Sequence, residues 1–412
     1  MKICIVSCVF PPEPITSAST SADLAEEMVK RGHTVTVISP FPNRPAGRVI
    51  DGYNRKWKRI EDRKGYKVIH CWHTLSKRSD FISRFFENIS FGLTSTWHLW
   101  KENKPDVVYM NTWPLFSQSF NSWLLSLSKV PIVCSVQDIY PESLIGKGAL
   151  KRNGWIAQVI RSIDIKHLRR CSHVVSISPP MVDRLLKDRC ILPEKVHFIP
   201  NWMDACEFSP DLKKEGSFRM KQGIDSDIFC AIFAGSLTMA AGVELYVQAA
   251  EKLKYRNDIR IFLVGDGSLR ERLEEEIAVR GLRNVQVIHP LKREDVPNIH
   301  AAANVLLMSL SGDMAQTAAP SKQIAYMFSG RPVVASVSCN SATAQVLTEA
   351  NAGFVLPSDD PQAVADLLTS LADDPSSLQL MGENARRYAE KNFSKQAVLP
   401  RLINLLETLV NH

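Results

Sequence analysis

Residues 229–236, FCAIFAGS, and 259–267, IRIFLVGDG, share one plan: an apolar run too short for a helix, followed by a turn built on glycine. Runs of about four to eight apolar residues closed by such a turn read as buried strands. Between the two runs, 242–254 carries helical spacing, so the segment reads as a strand, helix and strand of a parallel sheet. The same alternation continues outward. After Phe229–Phe233 and Ile259–Val264, strands are expected at Val285–Ile288, Val305–Met308, Pro332–Ala335 and Gly353–Val355, with helices at 269–280, 293–302, 320–329, 341–350 and 361–373.

The first half repeats this plan less cleanly. Lys2–Val9 reads as a strand, a loop over 10–20 follows, Ser21–Arg31 reads as a helix closed by Gly32, and Thr34–Ser39 returns as a strand. Further strands are expected at Asp106–Met110, Ile132–Val136, His173–Ile177 and Val196–Ile199. Residues 40–104 are the least regular, with an aromatic helix expected over 80–101. Pro200, Asn201, Trp202 and Asp204 mark a turn, which places a domain boundary near 203–215. The expected fold is therefore α/β, two Rossmann-like doubly wound domains over 1–203 and 204–392. The tail over 376–411 reads as helical, and about 393–412 is expected to pack back on the first domain.

A chain of 412 residues exceeds what one hydrophobic core ordinarily supports, in keeping with two domains. No uninterrupted run of about 18 apolar residues suggests a membrane span. MKICIVSCVF runs into prolines without a small-residue cleavage site, so no signal peptide is expected. Nine cysteines, none in a Cys-x-x-Cys pair, suit the reduced thiols of a cytoplasmic protein. His70-Cys71-Trp72-His73 lacks a second ligand pair at zinc spacing and is read as structural or surface.

Charge is unevenly spread. Residues 1–204 hold 29 Lys and Arg against 18 Asp and Glu, whereas 205–412 hold 21 against 25. Within 44–104, 14 basic residues and 6 acidic ones alternate with Trp57, Trp72, Phe81, Phe85, Phe86, Phe91, Trp97 and Trp100. A solvated basic face is the simplest explanation for any single one of these side chains. As a group, basic residues interleaved with aromatics suit an anionic membrane surface. Nucleic acid would suit them too, but no nucleic-acid motif accompanies them, and none is expected as a partner.

Ligands of doubly wound sheets sit at the carboxyl ends of strands, where glycines admit phosphate to the backbone and helix N-termini offer free N–H groups. Three loops fit: Gly235-Ser236, Gly265-Asp266-Gly267, and Pro320-Ser321-Lys322, where proline suits a first helical turn and the lysine adds a fixed charge. Each alone is as well explained by a plain turn or cap. Their order along one sheet is what points to a ligand.

In sequence order, FPPEP, KRGHTVTVISPFP, VQDIYPES, SISPPM, IPNWMD, FAGSL, FLVGDGSLRERL, the loop beginning IHPLKRED, and PSKQIAYMFSGRPVVAS resemble the retaining glycosyltransferases of the two-domain GT-B fold, family 4-like. Among them the bacterial N-acetylfucosamine transferase-like proteins of O-antigen and capsule synthesis are the most similar. The resemblance spans nearly the whole chain. It implies two domains facing a central cleft, with Gly235, Ser236, Gly265 and Asp266 near the donor diphosphate, Pro290 and Leu291 at the base, and Pro320, Ser321 and Lys322 on the phosphates of the leaving group.

In the first domain the resemblance gives Asp138 the part of orienting or deprotonating the acceptor hydroxyl, and Glu142 that of binding acceptor or donor sugar. The structural alternatives are a cap for Asp138 and an ion pair for Glu142. Thr16, Ser17 and Ala18 fall where relatives carry paired glycines near the donor. No paired-aspartate motif is present, so neither metal nor cofactor is expected, the nucleotide-sugar being a substrate. Ala241, Ala325 and Ala342 stand where relatives carry polar ligands, which leaves Lys322 as the obvious cation near the diphosphate.

The implied activity is transfer of a hexose or amino sugar, expected UDP-linked, with retention, to a glycan on a polyisoprenoid diphosphate at the cytoplasmic membrane face. Two alternatives stay open: a UDP-sugar epimerase of GT-B fold, and a catalytically weak binding subunit of a polysaccharide assembly complex.

Overall fold

The computed structural model describes residues 1–412 except 45–46, 77–80, 103, 113, 147, 209–216, 290–291, 311–320 and 411–412. The chain divides into two compact units, Met1–Asn201 with Val398–His412, and Trp202–Ala397.

The first unit is built on an eight-stranded sheet: β1 (Lys2–Val6), β2 (Thr34–Pro40), β3 (Lys58–Arg63), β4 (Tyr66–Cys71), β5 (Val107–Thr112), β6 (Ile132–Val136), β7 (His173–Ser176) and β8 (Val196–Phe198), in the order β3-β4-β2-β1-β5-β6-β7-β8. All neighbours are parallel except β3 and β4. Its helices are α1 (Thr16–Lys30), α2 (Phe81–Lys101), α3 (Leu115–Ser128), α4 (Glu142–Gly146), α5 (Trp155–Arg170) and α6 (Pro179–Lys187).

Three expectations need correction here. The first strand ends at Val6, and the helix after it begins at Thr16, five residues earlier than its spacing suggested. Ser17, Ala18, Thr20 and Ser21 are all buried in that helix, so small side chains that resemble a loop are there to pack closely against the sheet. Residues 58–71, read as irregular, form the β3–β4 hairpin. Its turn, Lys64-Gly65, takes positive φ at both positions, as tight hairpins prefer. Every second residue of KRIEDR is exposed, since β3 is an edge strand, and charge on an edge discourages further pairing.

The second unit carries α7 (Ser217–Lys221), α8 (Glu244–Lys252), α9 (Arg270–Val279), α10 (Val296–Ala302), α11 (Ser321–Phe328), α12 (Ala342–Ala350), α13 (Pro361–Asp373) and α14 (Leu378–Phe393). They surround six parallel strands, β9 (Phe229–Ala234), β10 (Ile259–Val264), β11 (Val285–Ile288), β12 (Val305–Ser309), β13 (Val333–Ser336) and β14 (Gly353–Leu356), in the order β11-β10-β9-β12-β13-β14. Strands buried on both faces read as continuous apolar runs, and apolar clusters lie on both sides of this sheet. The tail is two helices, α14 and α15 (Lys395–Thr408), broken at Ser394. From Val398 onward α15 belongs to the first unit. No helix among the described residues is long and apolar enough to cross a membrane.

Candidate functional site

A doubly wound sheet changes direction once, and the loops outside the strand ends at that point part to leave a crevice. In the second unit the chain builds β9, β10 and β11 outward on one side, then β12, β13 and β14 on the other, so the change falls between β9 and β12. Gly235 leaves the end of β9, and α11 follows β12.

Lys322, in the first turn of α11, lays its ammonium 3.5 Å from the centroid of the Phe233 ring. A Cβ at residue 235 would stand 2.6 Å from Nζ and Cε of that lysine, and Gly235 has φ +150°, so any other residue there would displace the side chain. Gly265 is needed more strictly, because its Cβ would lie 1.8 Å from the carbonyl oxygen of Gly235. The β9 and β10 loops therefore touch backbone to backbone. Tyr326, one turn beyond Lys322, accepts from the Ala234 amide at 2.8 Å and donates to the Ala234 carbonyl at 3.1 Å. That buried hydroxyl fastens α11 to the end of β9 and holds Lys322 over Phe233. Burial lowers the Lys322 ammonium to about 7, since a cation loses its hydration there.

The other residues of this half sort by surroundings. Ser236 is exposed, and Ser321 is half-buried at the start of α11. Asp266 is used within its own loop: its Oδ1 accepts from the Gly267 amide at 2.9 Å and meets Arg270 Nε at 3.1 Å, while its carbonyl accepts from the Leu237 amide. Pro290, Leu291 and Pro320 lie outside the described residues. Ala325 and Ala342 are buried and Ala241 packs against the apolar core, so none offers a polar atom. Arg270, read only as part of a helix, is a second cation on this edge, 3.0 Å from the His289 ring. The loops, the helix start and the ammonium together can hold a diphosphate.

In the first unit, sheet direction changes between β1 and β5. Thr16, Ser17 and Ala18 form the first turn of α1, which no side chain caps, and helical backbone there has no need of glycine. Glu13, which sequence reasoning passed over, is buried beneath that loop. It accepts from the amides of Phe10 at 3.1 Å and of Asn43 and Arg44 at 2.9 Å, tying the β1 loop to the β2 loop.

Asp138 follows β6 and is half-buried. Glu142 begins α4 and is held by two guanidinium groups, Arg161 at 2.8 Å and Arg189 at 2.5 Å. Arg189 is wholly buried and also meets Asp164 at 2.7 Å and the Tyr140 carbonyl at 2.7 Å. Burial would raise the Glu142 carboxyl, but the hydrogen bond and charge of Arg189 outweigh it and hold the group below its ordinary range. The ion pair weighed as a structural alternative for Glu142 is present, and it braces the loop that carries Asp138. Nothing in the sequence near Arg189 marks it as the centre of this network.

Residues 18–206 match the profile of Glycosyltransferase Family 4, and residues 215–388 that of Glycosyl transferases group 1. A relative named for colanic acid biosynthesis, the glycosyl transferase WcaI of Escherichia coli strain K12, is 25% identical over 98% of this chain and 99% of its own. The O-antigen chain mannosyltransferase C of Escherichia coli is 24% identical over 53% of this chain and 56% of its own. Among solved structures, the sucrose-phosphate synthase of Thermosynechococcus elongatus superposes with TM-score 0.76 at 16% identity, over 100% of this chain and 99% of that one. HepE of Anabaena, solved with UDP, superposes with TM-score 0.72 at 14% identity, over 99% and 100%.

Proposed function

The chain belongs to the GT-B, family 4-like glycosyltransferases, and on that premise we propose that it moves a hexose or amino sugar from a UDP-sugar to a lipid-linked glycan, with retention, in the synthesis of a surface polysaccharide. The observation that carries the donor half is Lys322, pressed onto Gly235 and Phe233 at the turning point of the second sheet. As the sugar–phosphate bond breaks, charge grows on the diphosphate, and the Lys322 ammonium, protonated when the diphosphate binds, stabilises it together with the amides at the start of α11. Pro290, Leu291, Pro320 and Ser321 complete this donor site in the proposal, with Ser236, Gly265 and Asp266 shaping its loops. Thr16, Ser17 and Ala18 are the first-unit residues that the proposal assigns to donor binding. Asp138 acts on the acceptor hydroxyl, and Glu142 serves by positioning the Asp138 loop.

The polysaccharide assignment rests on the names of the relatives, and the UDP assignment on the nucleotide bound in HepE. The lipid acceptor is supported by one face of the first unit. Helix α3 packs between α2 and α5. Together these three helices expose Ile82, Phe86, Leu93, Trp97, Trp100, Trp123, Leu127 and Trp155, with Lys101, Lys151 and Arg152 nearby. So much apolar surface beside basic residues suits the cytoplasmic face of an anionic bilayer.

The test is a thermal-shift screen of UDP-, GDP- and dTDP-sugars followed by turnover on a polyisoprenoid-diphosphate glycan. Stabilisation by a UDP-sugar alone, and turnover equal with or without magnesium, is expected. Release of an epimerised sugar nucleotide without acceptor would replace the proposal with an epimerase. Stabilisation by no sugar nucleotide would replace it with a binding subunit, the reading that Ala241, Ala325 and Ala342 favour.

A further inference from the structure

In the core of the first unit, three side chains with metal-binding atoms converge. Cys134 lies on β6, His167 in the last turn of α5, and Cys171 immediately after that helix. The two Sγ atoms and a ring nitrogen of His167 all lie within 4.8 Å of one another, and it is the one such group among the described residues. All three residues are buried.

The imidazole is oriented from behind. Nδ1 lies 3.0 Å from Ser122 Oγ, and Ser122 gives its own hydrogen to the Ser119 carbonyl at 3.1 Å. Ser122 Oγ therefore accepts, which puts the ring proton on Nδ1 and leaves the Nε2 lone pair directed at the thiols, 3.2 Å from Cys134 Sγ. An outer partner that fixes the tautomer in this way is what metal-binding histidines have. A plain core hydrogen bond would use one thiol on one lone pair. Here a second sulfur, that of Cys171, whose thiol donates to the His167 carbonyl at 3.4 Å, also stands within 4.8 Å of the other two ligand atoms.

We propose that Cys134, His167 and Cys171 bind one zinc ion, which clasps β6 to the end of α5. Binding displaces one proton from each thiol, so two thiolates, a neutral imidazole and Zn²⁺ sum to zero charge, and no net charge is buried. Zinc–ligand bonds of about 2.0–2.3 Å require the three donor atoms to stand about 3.6 Å apart. The widest pair closes by at most about 1 Å from 4.8 Å, while Cys134 and His167, at 3.2 Å, open slightly. A water or backbone carbonyl supplies the fourth position. With all three ligands buried, the ion enters as the chain folds. It touches no substrate, so this site stands or falls apart from the sugar transfer.

The test uses the full chain, expressed in zinc-supplemented medium, purified without metal-affinity resin and passed over a chelating column. About one zinc per chain is expected, with X-ray absorption showing two sulfur neighbours at about 2.3 Å and one nitrogen at about 2.0 Å. The Cys134→Ser/Cys171→Ser variant should lose the metal, while Cys4→Ser, altering another buried thiol, should keep it. Folded wild-type protein without zinc, zinc without sulfur neighbours, or zinc retained by the double variant would each overturn the site. The absorption spectrum needs only wild-type protein, so a variant that fails to fold leaves the test intact.

Discussion

Burial lowers the Lys322 ammonium to about 7, so near neutral pH the free protein holds both amine and ammonium at this position. A bound diphosphate favours the ammonium, and binding above that pH must take up a proton. UDP affinity should therefore fall as pH rises above about 7. Lys322→Arg keeps its charge throughout, so calorimetric titration of this variant should show a flatter pH profile.

Asp138 and Glu142 should separate by experiment. Asp138→Asn is expected to cut kcat by about 100-fold or more while leaving the UDP-sugar melting shift unchanged. Glu142→Gln should lower stability by about 1–3 kcal/mol, because Arg189 stays buried with one acidic partner fewer. The folded pKa of Glu142 is depressed, so its contribution is complete above its unfolded value and lost as pH falls through the folded one. The gap between wild type and Glu142→Gln in urea unfolding should close on acidification.

At the scale of elements, α2 shows how a sequence pattern can be legible while its use is not. Ile82, Phe86, Leu93, Trp97 and Trp100 recur at helical spacing, which by itself fits an inward stripe as well as an outward one, and all are exposed. Lys101 sits 4.6 Å over the Trp97 ring. Trp97→Glu with Trp100→Glu should abolish sedimentation with phosphatidylserine vesicles and leave UDP binding unchanged. Binding to neutral vesicles with equal strength would refute the anionic preference. The β3–β4 hairpin was hidden for the opposite reason: an edge strand covered with charge has no apolar run to announce it.

At the scale of the whole molecule, the end of the chain completes its beginning. Val398, Leu399, Leu402, Ile403 and Leu406 of α15 are buried, and Glu407 meets Arg31 at 3.2 Å and His33 at 2.9 Å. Each buried aliphatic side chain is worth about 1.5–3 kcal/mol, so five of them approach the whole stability margin of a domain, about 5–15 kcal/mol. A chain truncated before Val398 should lose the folded first unit in circular dichroism and limited proteolysis, although the second unit keeps its entire sheet.

The sequence by itself determined every strand but β3 and β4, because the others are short, largely apolar runs closed by turns. Ile132–Val136, Ile259–Val264 and Val285–Ile288 could be read to the residue. It also marked the Gly235 and Gly265 loops, since close backbone contact admits only glycine. Tertiary structure alone decided that Glu142 belongs to Arg189, that Tyr326 secures Lys322, and that Cys134, His167 and Cys171 meet. Each of these groupings joins segments distant along the chain, Glu142 to Arg189, Tyr326 to Ala234 and Cys134 to His167, and the attraction acts only once the folded sheet has brought them within a few ångströms.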